Sequence, residues 1–431
     1  MSEEQGGAGG MVKDSEREIH TGVEIGTSSI KVVMGEFSDD DQLDIVGYGE
    51  VPSLKVRKGE PVNVGIVEEQ LERAFQMAES SAGTEVTGHV FLAVTGSHIR
   101  TFHNAGVHAL DPDNPVISNK DVTMALAAAR RVSLEEGEFP VHFMNRHFRV
   151  DQQLELNNPV GQAGAELEAD MHVVAGNCNR LETSCALLAD ILGERPATDI
   201  VFSPLAAALA TLNPDTARQG VLVIDIGEGV TEYVCQHGPA CRHSGQFAVG
   251  CANLVNDLML GLGLSLPQGR EILHRLGDFG SAVWKDDGRA RMTDVASEGA
   301  RSRLVPASSI ERIIRLRLEE IFLLIRGELE KIDETGSIGA GIRLCGGGAL
   351  IPGVIDLATE VFGLPVEQAR ARAISGPEEV CHSPRFITPL GLLRWGQTML
   401  THDVLPEKPL TEHLRDDIRT MAKVIRDALH W

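Results

Sequence analysis

Two acidic residues stand where a chain can hold a hydrated metal ion beside phosphate. Asp225 follows the apolar run Val221 to Ile224 and precedes a turn holding Gly227 and Gly229; a second strand-like run starts at Thr231. A carboxylate at a strand end can ligate a hydrated cation, and turn glycines let backbone amides point at phosphate oxygens. A plain buried hairpin with an Asp in its turn would read the same way. The sequence, however, contains the arrangement twice. VEIGTSSIKVV at residues 23–33 aligns Glu24-Ile-Gly26 with Asp225-Ile-Gly227 at equal spacing from the flanking runs. Duplication predicts an α/β protein of two related halves, with one phosphate loop from each and a nucleotide in the cleft between them.

A third stretch, GIRLCGGGALIPGVIDLATEVF at 341–362, reads as a strand, three glycines and a helix entered through Pro352. The glycines permit close approach of a ligand, and the helix start offers amides and its positive end. It is not a Walker loop, because Val354 occupies the lysine position. Cys235, His237, Cys241 and His243 form another cluster after the second hairpin. Their spacing matches no usual zinc motif, and alternation along two strands accounts for them equally well.

Several elements must position these residues. Strand-like runs at 43–51 and 88–94 bracket a helical pattern at 64–80. Residues 86–175 read as an inserted α+β subdomain, with strands at 100–107, 141–150 and 166–174 and a helix at 120–131 capped by Ser118 or Asn119. The α/β pattern resumes with a helix at 180–192, a strand at 199–202 and an Ala-rich helix at 204–212. Helices at 252–262 and 268–276 follow, then a long amphipathic helix at 308–331 whose stripe of Ile310, Ile313, Ile314, Leu318, Ile321, Phe322 and Ile325 reads as core. The expected domains are a polar tail at 1–18, a first subdomain at 19–85 and 176–218, and the insertion at 86–175. A second half at 219–400 follows, with a smaller lid at about 255–330, then a linker at 401–410 and an amphipathic helix at 411–431.

Composition narrows the function classes. A net charge of −23 opposes nucleic-acid binding, since phosphate backbones are repelled. Seven scattered cysteines suit a reduced thiol set. No apolar run approaches the roughly 20 residues that span a bilayer, and the first residues have no signal-peptide core.

The three glycine-rich stretches, in this order, resemble the phosphate and adenosine motifs of the actin-like ATPases. Within that superfamily the chain is similar to the FtsA family of bacterial cell-division proteins from residue 22 to 396. The similarity is carried by EIGTSSIKVVMGE (24–36), TGSHIRTF (95–102), NPVGQAGAELEADMHVVAG (158–176), VGCANLVNDL (249–258), RLEEIF (317–322), GGGALIPG (346–353) and TPLGLLRWG (388–396). The resemblance implies a duplicated actin-like (ribonuclease H-like) α/β fold that binds ATP with Mg2+, polymerises, and tethers FtsZ to the cytoplasmic face of the membrane at the division site. Its inserted subdomain would contact filament neighbours and later division proteins. Glu24 and Asp225 would hold magnesium through water. Gly26, Thr27, Ser28, Ser29, Gly227, Glu228, Gly229 and Thr231 would form the phosphate loops, and Gly250, Cys251, Arg315, Gly346, Gly347, Gly348 and Ala349 would lie along the nucleotide.

Departures from the family pattern are Glu24 for Asp, Ser29 for Lys, Cys251 for Gly, Arg315 for Glu, and Glu228, Val230 and Glu232 for Gly, Thr and Asp. A carboxylate about 4 Å from a phosphate oxygen is repelled by ~1 kcal/mol in water and ~4 kcal/mol when partly buried. Glu228 would therefore have to point away or join the magnesium shell, and nucleotide turnover should be weak, slow or absent. In the last segment Leu414, Ile418, Met421, Ile425 and Leu429 share a helical face near Trp431, as a membrane-surface helix requires; balanced charges over 412–427 leave a partner-helix role open. The locally basic stretch 285–317 reads as a solvated face or, through Arg301 and Arg303, as a receiver of the acidic FtsZ tail. The rival readings are a pilus-assembly-type actin-like ATPase and another actin-fold ATPase or kinase.

Overall fold

The computed structural model describes residues 18–38, 42–193, 197–238, 240–275, 289–292, 303–332 and 335–401. β1 (His20–Ile25), β2 (Ser29–Phe37) and β3 (Leu43–Pro52) form an antiparallel meander. Ile30, Val32, Val33 and Met34 are all fully buried, as in a strand covered on both faces. A short hairpin, β4 (Val56–Arg57) and β5 (Glu60–Pro61), leads to α1 (Val64–Ala82). Asn63 Oδ1 accepts from the Ile66 amide to start α1, Gly83 in the left-handed region ends it, and Val67, Leu71, Ala74 and Ala78 face β3. At Gly49 of β3 an added Cβ would overlap the Ala74 carbonyl, so helix and sheet pack backbone to backbone. β6 (Val90–Val94) pairs parallel with β1.

The insertion follows: β7 (Ile99–Ala109), α2 (Asn119–Ala129), β8 (Glu138–Val150), β9 (Leu154–Leu156) and β10 (Glu166–Asn177). Its antiparallel sheet runs β7-β10-β8-β9, with α2 closing a core of Ile117, Ala125, Ala129, Phe148 and Leu167. Ser118 caps α2 in a capping box with Asp121. The chain returns through α3 (Cys178–Leu192), β11 (Ala197–Phe202) beside β6, α4 (Ser203–Thr211) and α5 (Pro214–Gln219).

The second half repeats the first. β12 (Val221–Ile226), β13 (Thr231–His237) and β14 (Ala240–Phe247) form the meander; after α6 (Cys251–Leu262), α7 (Leu266–Arg275), the pair β15 (Arg289–Met292) and β16 (Arg303–Pro306), and α8 (Ala307–Lys331) come β17 (Ile342–Cys345), α9 (Val354–Phe362) and β18 (Val366–Gln368). The order β14-β13-β12-β17-β18 matches β3-β2-β1-β6-β11 in strand direction at every step. The chain then reaches β19 (Ile374–Ser375), α10 (Glu378–Cys381) and α11 (Ile387–Thr401).

Two expected boundaries shift. Val90 to Val94 belongs to the first sheet rather than to the insertion, because an all-apolar strand is satisfied only between β1 and β11. Residues 374–401 return to the first half: β19 pairs with β3, and α11 packs on α4 and β1. The tail at 1–17, the linker from 402 and the C-terminal segment at 411–431 lie outside the described residues.

The insertion meets the first half through His142 of β8. Its Nε2 accepts from the Phe202 amide at 3.0 Å, and its ring lies 5.1 Å from that of Trp395. Burial pushes this imidazole from 6.5 down to about 4. The unfolded chain therefore takes up the proton first on acidification. Stability from this group is intact above pH 6.5 and is lost as pH falls toward 4, by about 3 kcal/mol in all. Urea titrations across that interval should show a steep acid loss, reduced in His142→Asn; an equal slope in the variant would contradict the assignment.

Candidate functional site

Each meander ends in a hairpin whose geometry follows from its glycine. The Gly26 amide donates to the Ser29 carbonyl at 3.1 Å, and the Gly227 amide to that of Val230 at 3.0 Å. In register, Glu24 faces Lys31 and Asp225 faces Glu232. The first pair closes as an ion pair, Lys31 Nζ to Glu24 Oε2 at 2.9 Å. The second pair sets a half-buried acid, Asp225, against a buried one, Glu232. Burial, with Asp225 and Glu24 nearby, raises Glu232 well above the usual carboxylate range, and Thr95 Oγ1 donates to its Oε1 at 2.7 Å. Burial and the Glu24 charge raise Asp225 to about 6, against Lys31 and a 3.1 Å hydrogen bond from Thr388 Oγ1 to Oδ2.

The two tips meet. An added Cβ at Gly229 would overlap Thr27 Oγ1 and lie 2.8 Å from the Lys58 Cα, and Thr27 Oγ1 accepts from the Gly59 amide at 2.9 Å. Ser28 is exposed at the first tip; Ser29 Oγ is buried there and has no hydrogen-bond partner among the described residues. Thr231 is buried, its hydroxyl donating to the Val249 carbonyl at 2.9 Å. The start of α6 leans on the second loop. The Cys251 amide donates to the Gly227 carbonyl and the Ala252 amide to the Glu228 carbonyl, both at 2.9 Å, and Gly250 lies against the same loop. Burial pushes the Cys251 thiol up to about 12, so it stays protonated.

Gly346, at φ 78°, fits directly against Asp225 Oδ1 and the Ile226 carbonyl, while Gly348 abuts the Ile226 side chain. Gly347 faces open space, and Ala349 is buried behind it. Gly26, Thr27, Ser28, Ser29, Glu24, Asp225, Gly227, Glu228, Gly229, Thr231, Gly250, Cys251 and residues 346–349 thus converge on one cleft base. Arg315 does not join them: its guanidinium pairs with Glu360 of α9 at 2.7 Å, and among the described residues it makes no bond to either hairpin. Glu228 has a further offset besides the two expected. Its carboxylate is met by Arg270 Nη2 of α7 at 3.7 Å, a partner over forty residues away in sequence. Thr95, Thr388, Lys58 and Arg270 adjoin the site without having been singled out in sequence; Thr95 and Thr388 open stretches that carry the family resemblance, and Lys58 lies in the basic run Lys55 to Lys58. Of the Cys/His cluster, Cys235 and Cys241 are buried and form no disulfide among the described residues, where His243 is the member that meets other metal-type ligands. Arg301 lies outside the described residues, as do Leu414, Ile418, Met421, Ile425, Leu429 and Trp431; of Arg303 only the backbone is described, in β16. Among the described residues, no helix is long and apolar enough to cross a membrane.

Two sheets, of six and five strands, that share one five-strand order and set their hairpins face to face define the actin-like class. Solved structures share the fold: the PilM-PilN type IV pilus biogenesis complex at a TM-score of 0.61 and 17% identity, covering 88% of this chain and 99% of that one, and MreB5 of Spiroplasma citri bound to ADP at 0.50 and 14%, covering 90% and 98%. Within the class, residues 222–391 match the family described as "Cell division protein FtsA" and residues 96–175 match "SHS2 domain inserted in FTSA". FtsA of Neisseria meningitidis serogroup B is 30% identical over 380 residues, spanning 86% of this chain and 88% of that protein; FtsA of Escherichia coli K12 is 27% identical over 432 residues, spanning 96% and 99%. The chain belongs to the FtsA family of cell-division proteins.

The glycine geometry gives a paired test. Gly346→Ala places a methyl in the left-handed region and against Asp225, and should cost about 2 kcal/mol or more by urea denaturation. Gly347→Ala, with open space around it, should stay within about 0.5 kcal/mol of the parent.

Proposed function

We propose that this chain binds ATP with magnesium between the two hairpins, polymerises, and ties FtsZ to the cytoplasmic membrane at the division site. The observation that carries the nucleotide part is the face-to-face placement of two hairpins of the same design, each with a carboxylate at its strand end and glycine at its turn. Glu24 and Asp225 would hold the hydrated ion. The residues fit it: burial and Glu24 already hold Asp225 toward its neutral form, and a divalent cation would relieve both carboxylates. The ion would screen phosphate charge; the turn residues 26–29 and 227–231 would orient the phosphates, and Gly250 with residues 346–349 would border the nucleoside. Solved MreB5 structures contain ADP and AMPPNP, which supports nucleotide use on this fold.

The Glu228–Arg270 pair refines the expected weakness toward nucleotide. The carboxylate opposes phosphate and also occupies the nearby guanidinium. Family membership supports the FtsZ and membrane roles over the pilus-type reading, through the basic stretch with Arg301 and Arg303 and the amphipathic segment at 411–431.

Calorimetric titration of the chain with ATP and Mg2+ should give saturable, magnesium-dependent binding at one site, and Glu228→Gly should tighten it about tenfold. Absent heat, confirmed by failure to displace a fluorescent ATP analogue, would overturn the nucleotide reading. Binding of a peptide with the acidic FtsZ tail sequence should fall about tenfold or more when Arg301 and Arg303 are both changed to Glu; unchanged affinity would remove those residues from the docking face.

A further inference from the structure

The seam between the insertion and the second half holds three histidines that the hairpin site does not use. His103 of β7 and His172 of β10 are register partners, and His243 comes from β14. The ring centroids stand 5.1, 5.6 and 5.6 Å apart. Each ring has one nitrogen engaged. His172 Nε2 lies 2.7 Å from Ser244 Oγ, His243 Nε2 lies 3.1 Å from the Tyr233 hydroxyl, and His103 bonds to the Arg242 backbone. The remaining nitrogens, His103 Nε2, His172 Nδ1 and His243 Nδ1, are buried and have no hydrogen-bond partner among the described residues. One ring nitrogen from each of the three lies within 4.8 Å of the others.

That arrangement is costly without a ligand. If the free nitrogens carry protons, buried donors go unsatisfied; if the engaged nitrogens carry them, three lone pairs face one another in a dry seam. The engaged nitrogens supply the outer hydrogen bonds that fix ring orientation in metal sites. Arg146, the cation that bears on His103, is itself paired with Asp170 at 3.2 Å.

We propose that His103, His172 and His243 bind one divalent transition-metal ion of the zinc type, fastening the inserted subdomain to the second half. Imidazole ligands suit Zn2+, and three of them leave a fourth tetrahedral position for water. Nitrogens about 2.0–2.1 Å from the ion would draw in modestly from their present spacing. The site is independent of the hairpin cleft and of its carboxylates.

The test uses the full chain purified without a histidine tag, stripped with EDTA and titrated with Co2+, then Zn2+. One equivalent of Co2+ should give visible d–d bands of a nitrogen-ligated tetrahedral centre, and one equivalent of Zn2+ should abolish them. His103→Gln and His243→Gln, checked for folding by circular dichroism, should weaken binding about 100-fold, while His237→Gln should leave it unchanged. Zn2+ should also raise the Tm of the parent and of His237→Gln but not of the triad variants. Substoichiometric Co2+ without tetrahedral bands overturns the proposal. So does binding retained by both triad variants, which would place the ion on carboxylates elsewhere.

Discussion

The two halves are held at working distance by an alanine-rich helix, α4, with α11 packed against it. α4 is buried along nearly its whole length, with Ala206, Ala207, Ala208 and Ala210 inside, and it touches β11 and β6 of one sheet and β12 and β13 of the other. α11 lies against it so closely that a Cβ at Gly391 would overlap the Ala206 carbonyl. Interiors packed at this density do not absorb an added methylene without moving backbone. The hairpin tips tolerate no such movement, since Gly229 already abuts Thr27 and the Lys58 backbone. The cleft geometry therefore depends on contacts well below the cleft, where no polar chemistry takes place.

Duplication has been followed by division of labour. The first hairpin neutralises its carboxylate internally through Lys31; the second sets Glu232 at the equivalent register position and neutralises nothing. Three acids share one lysine at the cleft base, and the upward shifts of Asp225 and Glu232 register that crowding, which a bound cation would relieve. Thr95 reaches from the first half to Glu232, and Thr388 reaches from α11 to Asp225. The first half thus supplies hydrogen bonds that orient both acids of the second.

The duplicated hairpins were legible in the sequence because strand, carboxylate and glycine are local and recur in the same order. The hydrogen bonds to the acids were not, since Thr388 lies 163 residues from Asp225 and Thr95 lies 137 from Glu232. Val90 to Val94 reads in sequence as part of the insertion because an apolar run shows burial without naming its neighbours. The histidine triad draws on three strands of two sheets. Spacing along β13 and β14 grouped His243 with Cys235, His237 and Cys241, and gave no sign of its spatial neighbours His103 and His172.

The seam over β14 also protects the second sheet from itself. β14 is the outermost strand there, with main-chain groups that β13 does not use. The insertion covers that edge: Thr101 Oγ1 donates to the Ser244 carbonyl at 2.7 Å and Arg146 Nε to the Arg242 carbonyl at 2.8 Å, while Gln246 reaches back to the Ile99 carbonyl at 3.2 Å. An uncovered edge strand is a template for pairing with another chain. Excising the insertion would thus do more than delete a contact surface; it would open a sheet edge to intermolecular strand addition. Aggregation of such a truncated chain would report on that exposed edge, independently of any partner the insertion binds.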